Sequence, residues 1–183
     1  MTQPPKDLKN IPPNTQKNEY TCGTAVVQAV AQYFGYWTHQ DDVAKQLPTT
    51  RSKGTDMANI VKYFKAHKLS AEIKENIEIA DVEPFLTKPG VAVIVLFQAW
   101  GEKKDYSKEW EDGHFAILVG IKGDTLYFRD PSMMGSIGYL TKSEFNKRWH
   151  DYEMHDGKRK EYNHSVIIVK GHEDSPPALA PIE

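Results

Sequence analysis

The 183-residue chain has a single cysteine, Cys22, so no internal disulfide can form. That suits a reducing compartment without requiring one, because many exported bacterial proteins also lack cysteine. Long apolar runs are missing too. The longest, VAVIVLF at 91–97, is far below the roughly 20 residues a membrane-spanning helix needs. The opening MTQPPKDLKNIPPN has prolines and charges where a secretory signal would carry an apolar core. The sequence therefore predicts a soluble chain that is cytoplasmic, or exported by a route without an N-terminal signal peptide. Nor is there a surplus of charge: 23 Lys and Arg stand against 25 Asp and Glu, a formal charge of −2. Nothing in that balance calls for nucleic acid or an anionic membrane as partner.

What is present is globular composition, 39% hydrophobic with 26% charged, in a length that fits one domain able to bury its own core. Residues 1–15 read as an extended, Pro-rich lead-in and 171–183 as a flexible tail, leaving 16–170 as the folded unit. Val26, Val27, Val30, Ala31 and Phe34 recur at helical spacing, with Gly35 as the stop. THQDDVAKQLP predicts a short second helix capped by Thr38, and Met57, Ile60, Val61 and Phe64 form the apolar face of a third. A strand near 70–75 and a short helix around 79–87 come next. The period then changes. VAVIVLFQAW is a strand buried on both faces, and GHFAILVGIKGDTLYFRD is two strands joined at Lys122-Gly123-Asp124. Thr141 and Glu144 form a capping box for a helix, residues 150–164 read as a charge-rich loop, and HSVIIVK is a last strand. Helices first and antiparallel strands afterwards predict an α+β fold.

Cys22 falls where a turn enters the first helix. Taken alone it is a small buried hydrophobe. At a helix mouth, however, the N–H dipoles lower a thiol's pKa, and a neighbouring imidazolium lowers it further, which turns cysteine into a nucleophile. Such a nucleophile needs a base, and the base needs a group to orient its ring. Of the seven histidines, His39, His67 and His172 lie in polar settings and His150, His155 and His164 in or beside a charge-rich loop, whereas His114 opens an apolar strand next to Gly113, where it can face a cleft. Asp130 ends the partner strand of the same hairpin, and counting back from the turn brings the two to the same end. Gln16, six residues before Cys22, offers an amide N–H₂ to a developing oxyanion. Each has a plainer reading in isolation: a structural histidine, a turn residue before Pro131, an exposed polar side chain.

Together, QKNEYTCGTA (16–25), GHFAILVG (113–120), RDPSMMG (129–135) and YLTKSEFNKRW (139–149) resemble the papain-like cysteine peptidases of family 39, whose best-known members trim double-glycine leaders from bacteriocin precursors. The resemblance implies a papain-like fold, N-terminal helices on an antiparallel sheet. It also implies Cys22 as nucleophile, His114 as general base and acid, Asp130 as the orienting residue and Gln16 as oxyanion donor. Exporter-fused members usually carry an acidic residue before the Cys and Asn before the His, then lead into a membrane segment and an ATP-hydrolysing domain. This chain has Thr21 and Gly113 at those positions and looks more like the free-standing relatives.

The activity expected is cleavage of a peptide or protein substrate through a thiol acyl-enzyme, without a cofactor. Deamidation or acyl transfer on the same three groups, and a binding module without turnover, are the alternatives; the sequence sets no oligomeric state. The stretch 99–113, directly before His114, reads as either the cleft mouth or a solvated loop. His150, Asp151, Glu153 and His155 lack the i, i+4 helical spacing of a metal-binding pair, so no metal is expected there.

Overall fold

Three helices come first in the computed structural model, which describes residues 4–101, 105–135 and 137–172: α1 (Cys22–Tyr33), α2 (Gln40–Gln46) and α3 (Met57–Ala66). α1 ends as its spacing requires, with Gly35 at φ +86°, a left-handed conformation that glycine adopts without steric cost. The N-cap of α2 is His39 instead of Thr38, whose carbonyl accepts from the Gln28 amide at 2.8 Å and ties the connection back onto α1. After them come β1 (Ser70–Lys74), α4 (Ile79–Leu86), β2 (Val91–Gln98), β3 (Gly113–Lys122), β4 (Thr125–Arg129) and β5 (Ile137–Thr141). α5 (Lys142–Arg148), β6 (His150–His155), β7 (Lys158–Asn163) and β8 (Val166–Lys170) complete the order. At α5 only half of the expected capping box forms: the Thr141 hydroxyl accepts from the Glu144 N–H, while the Glu144 carboxylate takes Arg148 at 2.7 Å.

Six strands make one antiparallel sheet in the order β1-β8-β2-β3-β4-β5. Alternation decides which layer each residue joins. Ala92, Ile94 and Leu96 of β2, with Phe115, Ile117 and Val119 of β3, pack with α1, α2 and α3. Val91, Val93, Val95 and Phe97, with Ala116 and Leu118, pack with α4 and α5. With helices on both faces, β2 is buried at every position, as its unbroken apolar run requires. This is an α+β architecture, and no helix among the described residues is long and apolar enough to cross a membrane.

Two features depart from the sequence expectation. Residues 150–163 are not a loop: β6 and β7 pair as a two-stranded sheet from His150–Asn163 to His155–Lys158. Its polarity hid it, because most of β7 faces solvent and only Tyr162 is buried. The lead-in, in turn, is extended but packed. Lys9 N–H donates to the Val119 carbonyl at 2.8 Å, Arg129 Nε donates to the Ile11 carbonyl at 3.2 Å, and the Ile11 side chain is fully buried in the α1 core. Of the tail, 173–183 lies outside the described residues.

Candidate active site

Cys22 is the first residue of α1 and only 8% exposed. The turn before it is closed by Thr21, whose hydroxyl accepts from the Asn18 N–H (2.9 Å) and donates to the Asn18 carbonyl (3.1 Å). Thr21 makes no side-chain cap on the helix, so the first-turn N–H groups stay directed at whatever sits on the helix mouth. Gly23 permits a close approach, though of protein: an added Cβ would lie 2.8 Å from Thr55 Cβ and 3.1 Å from Phe115 Cδ2.

His114, 1% exposed, lies at the second position of β3. Its Nε2 bonds to Asp130 Oδ1 at 2.9 Å, and the ring also bonds the Cys22 sulfur, which leaves Nδ1 for that contact. Asp130 follows β4, and its Oδ1 accepts twice more, from the Ser132 N–H (2.8 Å) and hydroxyl (2.7 Å). Phe97 and Trp100 pack edge-on to the imidazole, with ring centroids at 5.9 and 4.8 Å.

Electrostatics follow from that chain of contacts. Burial pushes the Cys22 thiol up, but the hydrogen bond and charge of His114, with the Phe115 and Gly23 N–H groups, outweigh it and hold the thiol below its ordinary value. For His114, burial works against the charged ring, yet Asp130 and the thiolate prevail and raise it to about 9. Burial likewise opposes ionisation of Asp130, and the imidazolium and Ser132 overcome it. Each shift favours the charged form, a thiolate beside an imidazolium, the pairing that can set a nucleophile next to a proton donor.

Cys22 opens onto a groove walled by Glu19, Tyr20, Trp110, Glu111, Gly113 and Asp151. The groove continues past Gly113 between Gln16, Trp100, Asp112 and Ser132. Gln16 is thus on the wall of the same cleft, tied to the Asp130 turn by its N–H to the Pro131 carbonyl at 2.9 Å. Its side-chain amide donates to the Asn18 carbonyl at 2.8 Å, so one of its two N–H bonds is committed within the loop and the other is left. Trp100, Trp110 and Glu111 place 99–113 at the cleft mouth, except 102–104, which lie outside the described residues.

Two groups, Ser132 and Gln98, were not singled out in the sequence, and a third, Asp151, was weighed only as a metal ligand. Ser132 was detectable as the second residue after an Asp in a Pro turn, where such side chains bond back to the carboxylate. Gln98 is fully buried; its amide donates to the His150 carbonyl (3.0 Å) and Asp151 Oδ1 (3.1 Å), and its carbonyl accepts from the Asp112 N–H (3.0 Å). Asp151 lies so close to Gly113 that a Cβ there would collide with its carboxyl. Neither has a sequence signature, because both depend on β6 meeting β2 and β3.

The four residues weighed as metal ligands do not converge: the His150 ring bonds the Glu109 carbonyl at 2.7 Å, and Asp151 turns to Gln98. Asp56, Glu153 and His155 do bring ligand atoms within 4.8 Å of one another. Glu153 is however already taken, by the Met57 N–H at 2.6 Å and by His155 at 3.0 Å.

The chain is 28% identical over 159 residues to the mesentericin transport/processing ATP-binding protein MesD of Leuconostoc mesenteroides, an alignment covering 81% of this chain and 19% of that protein. It thus spans about a fifth of that relative's length. In fold it is similar to a double glycine motif protease from an AMS/PCAT transporter, solved in complex with the leader peptide (TM-score 0.66, 18% identity, 91% of this chain and 96% of that one). It is also similar to the peptidase domain of Streptococcus ComA, a bi-functional ABC transporter involved in a quorum sensing pathway (TM-score 0.63, 15% identity, 89% and 100%). Residues 10–161, most of the chain, match the family model, and the chain belongs to the Peptidase C39 family.

Proposed function

We propose that the protein hydrolyses peptide bonds through a covalent acyl-enzyme on Cys22. The observation that carries this reading is the continuous contact from the Cys22 sulfur through His114 to Asp130, at 2.9 Å for the second bond, at the floor of an open groove. The thiolate attacks the scissile carbonyl carbon, forming the S–C bond as the carbonyl electrons move to oxygen. That oxyanion lies against the Cys22 N–H, which has no partner within α1, and the remaining N–H of Gln16. Collapse breaks the C–N bond, and His114 gives its proton to the leaving amine. Water then attacks the thioester with His114, now neutral, as base, and the acid product leaves. Asp130 touches no reacting atom; it holds the ring so that Nδ1 faces sulfur.

A peptide substrate is favoured by the elongated groove, and the leader peptide bound to the structurally similar double-glycine protease is of that class. The test is labelling of Cys22 by an iodoacetamide or vinyl-sulfone probe, together with a cleavage profile of a peptide library by the wild type and by Cys22→Ala. The expected result is labelling faster than that of free cysteine and cleavage only by the wild type. Products of unchanged length with altered mass would replace hydrolysis by deamidation or acyl transfer, and labelling no faster than free thiol would leave a binding module.

A further inference from the structure

Several carboxyls of the cleft take no part in the catalytic steps, Asp151 among them. Asp151 lies at the wall between Cys22 and Gly113, with Oδ2 against the backbone that carries His114 into the site. Gln98, fully buried and held by three hydrogen bonds, fixes its other oxygen. The space that a side chain at 113 would fill is occupied by a carboxyl instead. Arg159, whose charge favours the ionised form of Asp151, pairs with Glu161 at 2.9 Å and stacks on Tyr152 at 4.0 Å and Trp110 at 4.7 Å.

The surrounding walls have the same sign. Among the described residues, Glu19, Asp56, Glu111, Asp112, Asp151 and Glu153 line the two connected stretches of groove, with Arg51 and Lys53 as the opposing cations. When all are ionised, which for Asp151 requires a pH above about 7, that is a formal −4 on one face of a chain whose total is −2. A cleft of one sign concentrates ligands of the other and repels its own.

Direction along the groove follows from proton delivery. The leaving amine must take its proton from His114, which lies buried beneath Trp100, and Trp100 lines the stretch shared with Gln16 and Ser132. The acyl segment then takes the other stretch, along Cys22, Gly113 and Asp151. We propose that Asp151, preorganised by Gln98, is a specificity residue that selects peptides carrying Lys or Arg on the acyl side of the scissile bond. The inference rests on the peptidase reading for its substrate and on the groove alone for its charge selectivity.

The test compares wild type, Asp151→Asn and the exposed-site variant Glu111→Gln. Cleavage sites in a peptide library should be enriched in Lys or Arg on the acyl side. For matched peptides differing only in Lys or Glu there, the Lys:Glu ratio of kcat/KM should fall about tenfold in Asp151→Asn and less in Glu111→Gln, the scale of one charged hydrogen bond. A fall of equal size for every peptide would make Asp151 a structural staple and overturn the proposal, as would enrichment confined to the leaving side or none at all. A readout independent of turnover is the rate of Cys22 modification by cationic 2-aminoethyl and anionic 2-sulfonatoethyl methanethiosulfonates. The cation should be favoured in the wild type, less so in both variants. If that preference holds while no peptide is cut in a Cys22-dependent way, the peptidase reading fails and the groove's selectivity stands; if peptides are cut and the reagents react alike, the proposal fails alone.

Discussion

At the scale of single residues, the site is a set of charges that stabilise one another out of water. Against the cost of burial, Asp130 and the thiolate raise His114 to about 9, and the imidazolium holds the thiol below its ordinary value, so each charge favours the other. The rate should rise with pH as Cys22 ionises and fall near 9 as His114 loses its proton. Asp130→Asn removes a charge that favours the imidazolium, so the falling limb should move toward the ordinary histidine value of 6.5, read from a kcat/KM profile against pH. Asp151 behaves oppositely. Burial, opposed by the Tyr152 N–H and Gln98 and aided by the charge of Glu153, raises it to about 7 from 3.8. Between those values the folded chain holds a proton that the unfolded chain has lost, so stability falls as pH rises; the cost is absent below 3.8 and complete above about 7. Asp151→Asn should therefore gain on the wild type by on the order of 1–3 kcal/mol between about pH 4 and pH 8, measured by denaturant unfolding at each pH.

At the scale of elements, a β-bulge brings the pair together. From the turn, Lys122 pairs with Thr125, Ile121 with Leu126 and Gly120 with Tyr127; then the register shifts, so that Leu118 meets Phe128 and Ile117 meets Arg129. Continued, that register sets Asp130 opposite Ala116, on the same face of β3 as His114. Without the extra residue Asp130 would fall opposite Ile117, on the other face. Val119, the residue passed over, gives its carbonyl to the Lys9 N–H, so the lead-in fastens the bulge. Gly113 is the other constrained point on β3. Gly113→Ala should cost about 1–3 kcal/mol by forcing Asp151 away, and Asp151→Ala in the same chain should recover much of the loss, a coupling that a double-mutant cycle reads directly.

At the scale of the whole molecule, the cleft lies where the helical layer of α1 meets the end of the sheet, and its far wall comes from the small β6–β7 sheet. Arg148 secures the connection before β3: it donates to the Ala99 carbonyl at 3.1 Å, pairs with Glu144 and stacks on Tyr106 at 3.4 Å. The lead-in acts at the same scale, since Ile11 fills the α1 core and Leu8 lies over Gly120. Ile11→Ala should lower stability by about 2–5 kcal/mol, the range for emptying a fully buried site, and should reduce peptidase activity through the register of β3. Chemical denaturation and assay of the same preparation measure both.

Much of this was legible because it is written in local pattern. The apolar spacing of α1–α3, the unbroken run of β2 and the turn at 122–124 each follow from nearest-neighbour sterics and burial, and they suffice for the α+β order. Cys22 at a helix mouth, and His114 and Asp130 at one end of a hairpin, were also readable, since turn length sets which strand ends are adjacent. Which face Asp130 occupies was not, because one bulged residue held by a distant segment reverses it. Nor were β6–β7, Gln98 and Asp151. A polar hairpin shows no apolar period, and a carboxyl gains its character from the strands packed around it, so only the tertiary structure decided what lines the groove.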